Sequence, residues 1–450
     1  MNWTVIAKVL IDISIMNGAI LIAFLLRLGF PVPNPNWEAY IFMLPWINIS
    51  AFSLLTLYNL YTPGRRLWKD IFSSIICVVV LLFLVTLALS FLFYQFAFPR
   101  SVLIVSALLQ LGLLSLWRYY LWNWTNKKLG PMKLILVGPE DKAIARALAL
   151  RNESKELYAI QGIITEQEST GKASENHCNH LGTYANFEQI IDQAKPQALL
   201  FSEDIAKDLR NQMLEQTYMR NIVSFLIPDI HDILLIQSQA TQEAGLPLFK
   251  IKEAVKKPQV SWKRLIDITL VMLLAIPALL LIALASLTMI IENPKAPLLF
   301  RQDRVGHNGK VFRLLKLRTM IPDAEKSTGP VLATEKDPRI TRVGRFLRTT
   351  RIDELPQLWN VFIGDMSFIG PRPERPFFVE QFEKDIHGYQ YRHQIMVGIT
   401  GLAQVEGRYS TAVDDKLRYD LLYAKTVSPS TDARILLHTL KVMLLKDKAS

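Results

Sequence analysis

The sequence predicts a multi-domain membrane protein. It combines a four-helix transmembrane bundle, a small α/β domain, and a basic, monotopic α/β domain entered through a proline-broken, re-entrant helix. Three observations predict it. Half of the 450 residues are hydrophobic and only 20% are charged, against about 25% charged in soluble domains. Five apolar runs reach the ~20 residues that cross a bilayer. The formal charge of +11 divides as +4 over residues 1–125, −1 over 126–260 and +8 over 261–450. A disordered chain and an ordinary soluble enzyme are thereby excluded. Two cysteines, Cys77 and Cys178, are too few for a disulfide framework.

Residues 1–125 are expected to form the bundle. The runs cover roughly Val5–Phe30, Tyr40–Tyr61, Ile71–Phe98 and Val102–Trp124, and Pro31, Pro33 and Pro35 interrupt the first connection. No small-residue cleavage site follows the first run, which reads as an anchor and not a removed signal. Trp37, Tyr40, Trp68 and Trp124 lie near run ends, as interfacial anchors do. Arg65, Arg66 and Lys69 sit between runs two and three, and Lys127 and Lys128 follow run four; the 31–38 connection has no Lys or Arg. The positive-inside rule then places both ends of the bundle in the cytoplasm. Asp12 and Arg27 lie within the first run. They read either as a functional polar pair or as a near-interface pair turned toward other helices.

Residues 131–246 alternate short apolar runs (Lys133–Val137, Tyr158–Ile164, Gln197–Phe201, Ile222–Ile227) with helical stretches, the pattern of a Rossmann-like parallel sheet. A dinucleotide site needs three spaced glycines at the first strand–helix turn. Here the turn reads Gly138-Pro139-Glu140-Asp141, with two acids where a pyrophosphate would lie, so a structural or regulatory domain without dinucleotide is expected. His177-Cys178-Asn179-His180 matches no zinc spacing. Residues 247–261 read as a linker.

The last domain is expected over 262–450. Its apolar run, 266–291, has Pro277 near the centre and basic residues on both sides: Lys263 and Arg264 before it, Lys295, Arg301 and Arg304 after. Symmetric charge fits a helix that breaks at Pro277 and returns to the same face; a kinked transmembrane helix is the alternative. Four motifs follow. In Val311–Arg318, period 2 puts Phe312, Leu314, Lys316 and Arg318 on one strand face, and two cations there call for an anionic partner. Arginines recur at 339, 342, 345, 348 and 351, a helical spacing that suits phosphate or lipid headgroups. In Ile352-Asp353-Glu354-Leu355-Pro356, two adjacent acids precede a proline tolerated in a helix's first turn. Adjacent helical side chains point about 100° apart, so one acid can face a phosphorus atom while the other binds a metal; a plain capping pair is the alternative. In Gly364–Pro373, two prolines fix the angle of Arg372. A membrane chain without a nucleic-acid module is not expected to bind nucleic acid.

With these motifs the sequence resembles the bacterial polyprenyl-phosphate hexose-1-phosphate transferases, the bacterial sugar transferase family. The resemblance runs from Trp262 to about Leu445 through Lys316–Met320, Asp353–Leu358, Gly364–Pro373 and Gly398-Ile399-Thr400-Gly401. The bundle and α/β domain ahead of it resemble the long members. The resemblance implies that hexose-1-phosphate passes from a UDP-sugar to undecaprenyl phosphate, with UMP released, at the cytoplasmic face of a bacterial inner membrane. This is the opening membrane step of exopolysaccharide, capsule or O-antigen synthesis. It implies Asp353 as the nucleophile that carries the phosphosugar and Glu354 as the Mg²⁺ ligand. Lys316, Arg318 and Arg348 become candidate phosphate-binding cations, and Pro371, Arg372 and Pro373 the nucleotide contact. The partners implied are the UDP-sugar, undecaprenyl phosphate and the bilayer; a homodimer is compatible with the pattern. Many members carry Arg-Pro before Gly-Ile-Thr-Gly where this chain has Met396-Val397, which leaves Arg392 or His393 to replace the missing cation. The competing readings are a glycosyltransferase that releases UDP and a non-catalytic membrane assembly protein.

Overall fold

An apolar run in lipid can satisfy its backbone only within itself, so it becomes a helix. In the computed structural model the N-terminal runs form α1 (Trp3–Leu28), α2 (Asn34–Leu57), α3 (Trp68–Leu92) and α4 (Arg100–Leu129). The structure describes residues 3–444 apart from 63, 155, 169–170, 237, 244–245, 252–258, 323, 325–336 and 408–411. Among described residues five helices are long and apolar enough to cross a membrane: these four and Trp262–Glu292. The chain divides into two units, Met1–Pro228 and Asp229–Ser450.

In the first unit the buried acid Asp12 pairs with Arg118 of α4. Arg27 is exposed, and 15 helical residues span about 22 Å, too far for it to meet Asp12. Arg118 also donates to the Leu60 carbonyl at 2.9 Å, which holds the α2–α3 connection. Arg65 in that connection donates to the carbonyls of Gly130 and Leu157 and so ties the bundle to the α/β domain.

That domain contains β1 (Met132–Val137), α5 (Glu140–Ser154), β2 (Tyr158–Thr165), α6 (Lys172–Glu175), β3 (His180–Thr183), α7 (Phe187–Ala194), β4 (Ala198–Phe201), α8 (Lys207–Met219) and β5 (Val223–Leu226). Its strands are parallel in the order β3-β2-β1-β4-β5. The short β3 begins at His180, the last residue of the His-Cys-Asn-His segment, and is too polar to announce itself as a strand. The switch in strand order lies between β1 and β4, where such folds hold ligands. Here the two strand ends lie close together, with charged pairs beside them. A Cβ on Gly138 would lie 2.5 Å from Ser202 Cβ. Lys142 pairs with Asp204 at 2.8 Å and Arg146 with Glu203 at 3.0 Å.

The second unit begins earlier than the expected boundary at 246/247. Its α9 (Ile230–Leu235) buries Ile233 against Val305, Val379, Tyr389, Leu417 and Leu421, and β6 (Gln239–Glu243) and β7 (Leu246–Lys250) form a hairpin. Then α10 (Gln259–Glu292) runs through Pro277 as one helix. The expected break there is not seen in the secondary structure, since the proline removes one donor without ending the helix. The two ends of α10 pack on the same domain. Near the start, Lys263 meets Asp432 at 2.7 Å, Asp267 accepts from Ser367 Oγ and Phe368 N at 3.0 Å, and Val271 enters the central core. Near the end, Ala285 and Met289 pack on Leu317 and Leu347, and Glu292 accepts from Val343 N. Between them Leu273, Ile276, Leu279 and Leu280 are exposed.

The domain continues with β8 (Leu299–Val305) and β9 (Val311–Leu317), an antiparallel hairpin, then α11 (Arg342–Thr350), α12 (Gln357–Ile363), β10 (Ser367–Ile369), α13 (Pro376–Asp385), β11 (Gly398–Thr400), α14 (Leu402–Glu406), α15 (Val413–Thr426) and α16 (Pro429–Leu444). The parallel pair β10–β11 approaches so closely that a Cβ on Gly370 would lie 2.0 Å from the Met396 carbonyl, and one on Gly398 2.1 Å from Gly370 N.

Candidate active site

Three segments converge on the two acids. The first is the end of β9, which carries Lys316. The second is the end of α11. Thr341 caps this helix, its Oγ1 accepting from Gly344 N at 2.9 Å. The helix presses on the chain beyond β9, where a Cβ on Gly344 would meet the Thr319 carbonyl at 2.1 Å. Arg348 Nε then donates to Thr319 Oγ1 at 2.8 Å. Arg351 ends the helix in a left-handed conformation (φ 60°, ψ 14°), a backbone state unusual for a side chain with a Cβ. The chain reverses there into a 3-10 turn, Ile352–Glu354, that presents Asp353 and Glu354. The third segment is the Pro371-Arg372-Pro373 turn after β10. Asn360 of α12, fully buried, locks the frame: its Oδ1 accepts from Leu315 N at 3.1 Å and its Nδ2 donates to the Arg313 carbonyl at 2.8 Å.

The two neighbouring carboxylates have opposite surroundings. Glu354 Oε1 accepts from Lys316 Nζ at 3.1 Å and Arg372 Nη2 at 3.0 Å, and Oε2 faces Arg351 Nη1 at 3.7 Å. Burial alone would raise its pKa, but Arg372, Lys316 and Arg351 outweigh burial and hold it well below the usual carboxylate range. Asp353 is only 6% exposed, and its Oδ1 accepts no hydrogen bond from any described residue. Burial first, and then the charge of Glu354, push its pKa up to about 6 against the pull of Lys316, Arg348 and Arg351. Burial lowers the pKa of Lys316, with Glu354 opposing, while Glu354 raises that of Arg372. Adjacent titratable groups driven apart in this way mark a division of chemical roles. One carboxylate is clamped by cations, and the other is buried with a lone pair to spend.

This arrangement coincides with a family match. Residues 258–446 match the family described as bacterial sugar transferase, and residues 57–208 match one described as CoA-binding domain. A UDP-glucose:undecaprenyl-phosphate glucose-1-phosphate transferase of Caulobacter vibrioides is 42% identical over 194 residues, which cover 42% of this chain and 71% of that protein. The chain belongs to the bacterial sugar transferase family. A Klebsiella pneumoniae protein of the same name is 37% identical over 245 residues, 50% of this chain and 52% of its own. An Aeromonas hydrophila UDP-N-acetylgalactosamine-undecaprenyl-phosphate N-acetylgalactosaminephosphotransferase is 42% identical over 185 residues, 40% and 43% of the two chains. The chain thus spans about half the length of these last two relatives.

Of the residues singled out in this sugar transferase sequence, Asp353, Glu354, Lys316 and Arg372 come together directly. Arg348 acts on Asp353 through its charge while its Nε is held by Thr319. Pro371 and Pro373 frame the turn. Arg318 does not join them. The strand ends at Leu317, so alternation no longer sets the direction of Arg318, which donates to the carbonyls of Pro297 at 2.8 Å and Met320 at 3.2 Å. The acids lie one turn before α12, not on it, and neither caps it. The arginine series divides as well: Arg339 pairs with Asp337 ahead of α11, and Arg351 is the helix's left-handed terminus. Neither candidate for the missing cation faces the acids. Arg392 is engaged with Asp420, and His393 is held neutral, its pKa lowered to about 4 by burial and then by Arg392. Sequence reasoning placed Arg351 in the arginine series but not beside Glu354, and it missed Asn360 as the lock on the frame. The close spacing of Asn360 to the acid pair was the one available signal.

Among described residues no group of three His, Cys, Asp or Glu could hold a metal ion. Magnesium held through Glu354, as the resemblance implies, would need few protein ligands. Magnesium takes one or two carboxylates and completes its shell with phosphate oxygens and water. Asp353 Oδ1 is buried without a partner, and Glu354 Oε2 lies beyond hydrogen-bond reach of Arg351.

Proposed function

We propose that this protein transfers a hexose-1-phosphate from a UDP-sugar to undecaprenyl phosphate by two displacements at one phosphorus. In the first, an Asp353 carboxylate oxygen bonds the sugar-bearing phosphorus, and the bond from that phosphorus to UMP breaks with the electron pair leaving on UMP. In the second, a phosphate oxygen of undecaprenyl phosphate bonds the same phosphorus and the Asp353 carboxylate departs. Two displacements replace one difficult transfer. In this reading Arg372 and Lys316 bind the diphosphate, and Arg348 and Arg351 offset charge as the phosphosugar forms. Magnesium bound through Glu354 would supply further charge neutralisation of the diphosphate. The observation that carries this reading is the buried, unpartnered Asp353 oxygen beside a carboxylate clamped by Lys316 and Arg372.

The packing of α10 supports the same reading. Both ends of α10 pack on one domain while its middle exposes leucine and isoleucine, as expected for a helix that dips into the cytoplasmic leaflet of an inner membrane and returns. The acids then lie near the interface, where an undecaprenyl chain stays in lipid and its phosphate stays in water.

The test is purified full-length protein in detergent with undecaprenyl phosphate and a panel of UDP-sugars. UMP release with at least one sugar, lost in Asp353→Asn, is expected. UDP release would favour the direct glycosyltransferase and overturn the proposal.

A further inference from the structure

The Pro371-Arg372-Pro373 turn cannot hold itself, because two of its three residues lack an N–H. Its carbonyls are gripped from outside: Pro371 O by Gly398 N, Arg372 O by Arg392 Nη2 and Pro373 O by Arg304 Nη1, each at 2.9 Å. The middle grip belongs to a buried network. Arg392 is 6% exposed. Its Nε and Nη2 lie 3.0 and 2.9 Å from Asp420 Oδ2, its Nη1 donates to the Tyr389 hydroxyl at 2.8 Å, and Nη2 also reaches the Arg372 carbonyl. Asp420 and Tyr389 are both buried.

A buried ion pair adds little net stability after desolvation. It does fix direction, because a planar guanidinium bonded at every nitrogen cannot rotate. The Arg372 side chain, by contrast, is 39% exposed and is held at its tip by Glu354. An incoming diphosphate competes for that tip, and the backbone then sets where the guanidinium can reach. We propose that Arg392, braced by Asp420 and Tyr389, is a positioning residue that aims Arg372 at the diphosphate of the nucleotide donor. The inference rests on the transferase reading above. It makes Arg392 a determinant of donor affinity and not of lipid affinity.

The experiment uses full-length protein in detergent, with initial rates measured against UDP-sugar and undecaprenyl phosphate separately. Arg392→Lys keeps the charge but loses the planar fork. It should raise KM for the UDP-sugar about tenfold, the scale of one charged hydrogen bond, while KM for undecaprenyl phosphate stays within about twofold. In an Arg372→Ala background, Arg392→Lys should leave donor KM unchanged, because Arg392 acts through Arg372. Equal losses toward both substrates, or an undiminished effect in the Arg372→Ala background, would overturn the inference. Should Arg392→Lys fail to fold, Tyr389→Phe removes one brace and should raise donor KM about two- to threefold; an unchanged KM then overturns it. Wild type that neither binds UDP-sugar nor releases UMP defeats the transferase reading itself. Active wild type with a donor KM indifferent to these changes defeats only the role of Arg392.

Discussion

As the proposed nucleophile, Asp353 would act only when ionised, and its pKa is pushed from 3.8 up to about 6 by burial and by Glu354. Capture of the phosphosugar on Asp353 should therefore follow the ionised fraction: about nine-tenths at pH 7, half near pH 6 and about one-tenth at pH 5. Glu354→Gln separates the two causes. It removes the neighbouring negative charge and frees Lys316 and Arg372 from their salt bridges, and both changes lower the pKa of Asp353. The variant captures more slowly overall, but at pH 5 it should keep a larger share of its own pH 7 rate than wild type does. The assay is rapid-quench labelling with radiolabelled UDP-sugar at saturating concentration and no lipid acceptor, scored as hydroxylamine-labile label on the protein. Equal wild-type rates at pH 5 and pH 7, or a midpoint that rises in Glu354→Gln, would refute the electrostatic account of the pair.

Three further outcomes are expected. Asp353→Asn should stabilise the fold at pH 8 by about 3 kcal/mol, the worth of the gap between 3.8 and about 6. The buried carboxyl favours folding when protonated, and that contribution is lost as pH rises through about 6, so the gain in Tm should fall by about half at pH 5; no gain at pH 8 counts against the burial of charge. Gly398→Ala forces a Cβ to within 2.1 Å of Gly370 N, which is backbone and cannot yield, and should destabilise the fold by more than about 2 kcal/mol with loss of turnover; a near-wild-type Tm contradicts the close strand approach. Cysteines at 263 and 295, flanking α10, should react with an impermeant reagent only after the membrane is opened; labelling of position 295 in intact cells contradicts a helix that returns.

The parts of the fold carried by local patterns were legible. The four N-terminal runs became helices, because length and apolarity decide that alone. Four of the five strands of the α/β sheet lay where short apolar runs alternated with helical stretches. β3 escaped because His180–Thr183 owes its strand state to pairing with β2 and not to its own residues. The second unit begins before residue 246 because Ile230 and Ile233 join a core supplied mostly by residues more than 70 positions later. Arg318 turns to the Pro297 and Met320 carbonyls and not to the face of Lys316, because period 2 was carried one residue past the end of β9. Pro277 was expected to break the helix and turn it back; the helical hydrogen bonding continues through it, because a long helix absorbs one missing donor.

The acid pair was legible because its residues are adjacent. What distinguishes them was not, because the distinction is made from afar. Lys316 lies 38 positions before Glu354 and Arg372 lies 18 after it. The left-handed Arg351 turns the chain so that Glu354, and not Asp353, meets both cations. Had they paired with Asp353, its pKa would fall and its oxygens would be occupied, leaving a weak nucleophile. Had Glu354 stayed unpaired beside it, two buried charges would repel and Asp353 would remain protonated at neutral pH. Clamping Glu354 therefore leaves Asp353 with a free oxygen and acidic enough to be ionised near pH 7, as the proposed attack requires.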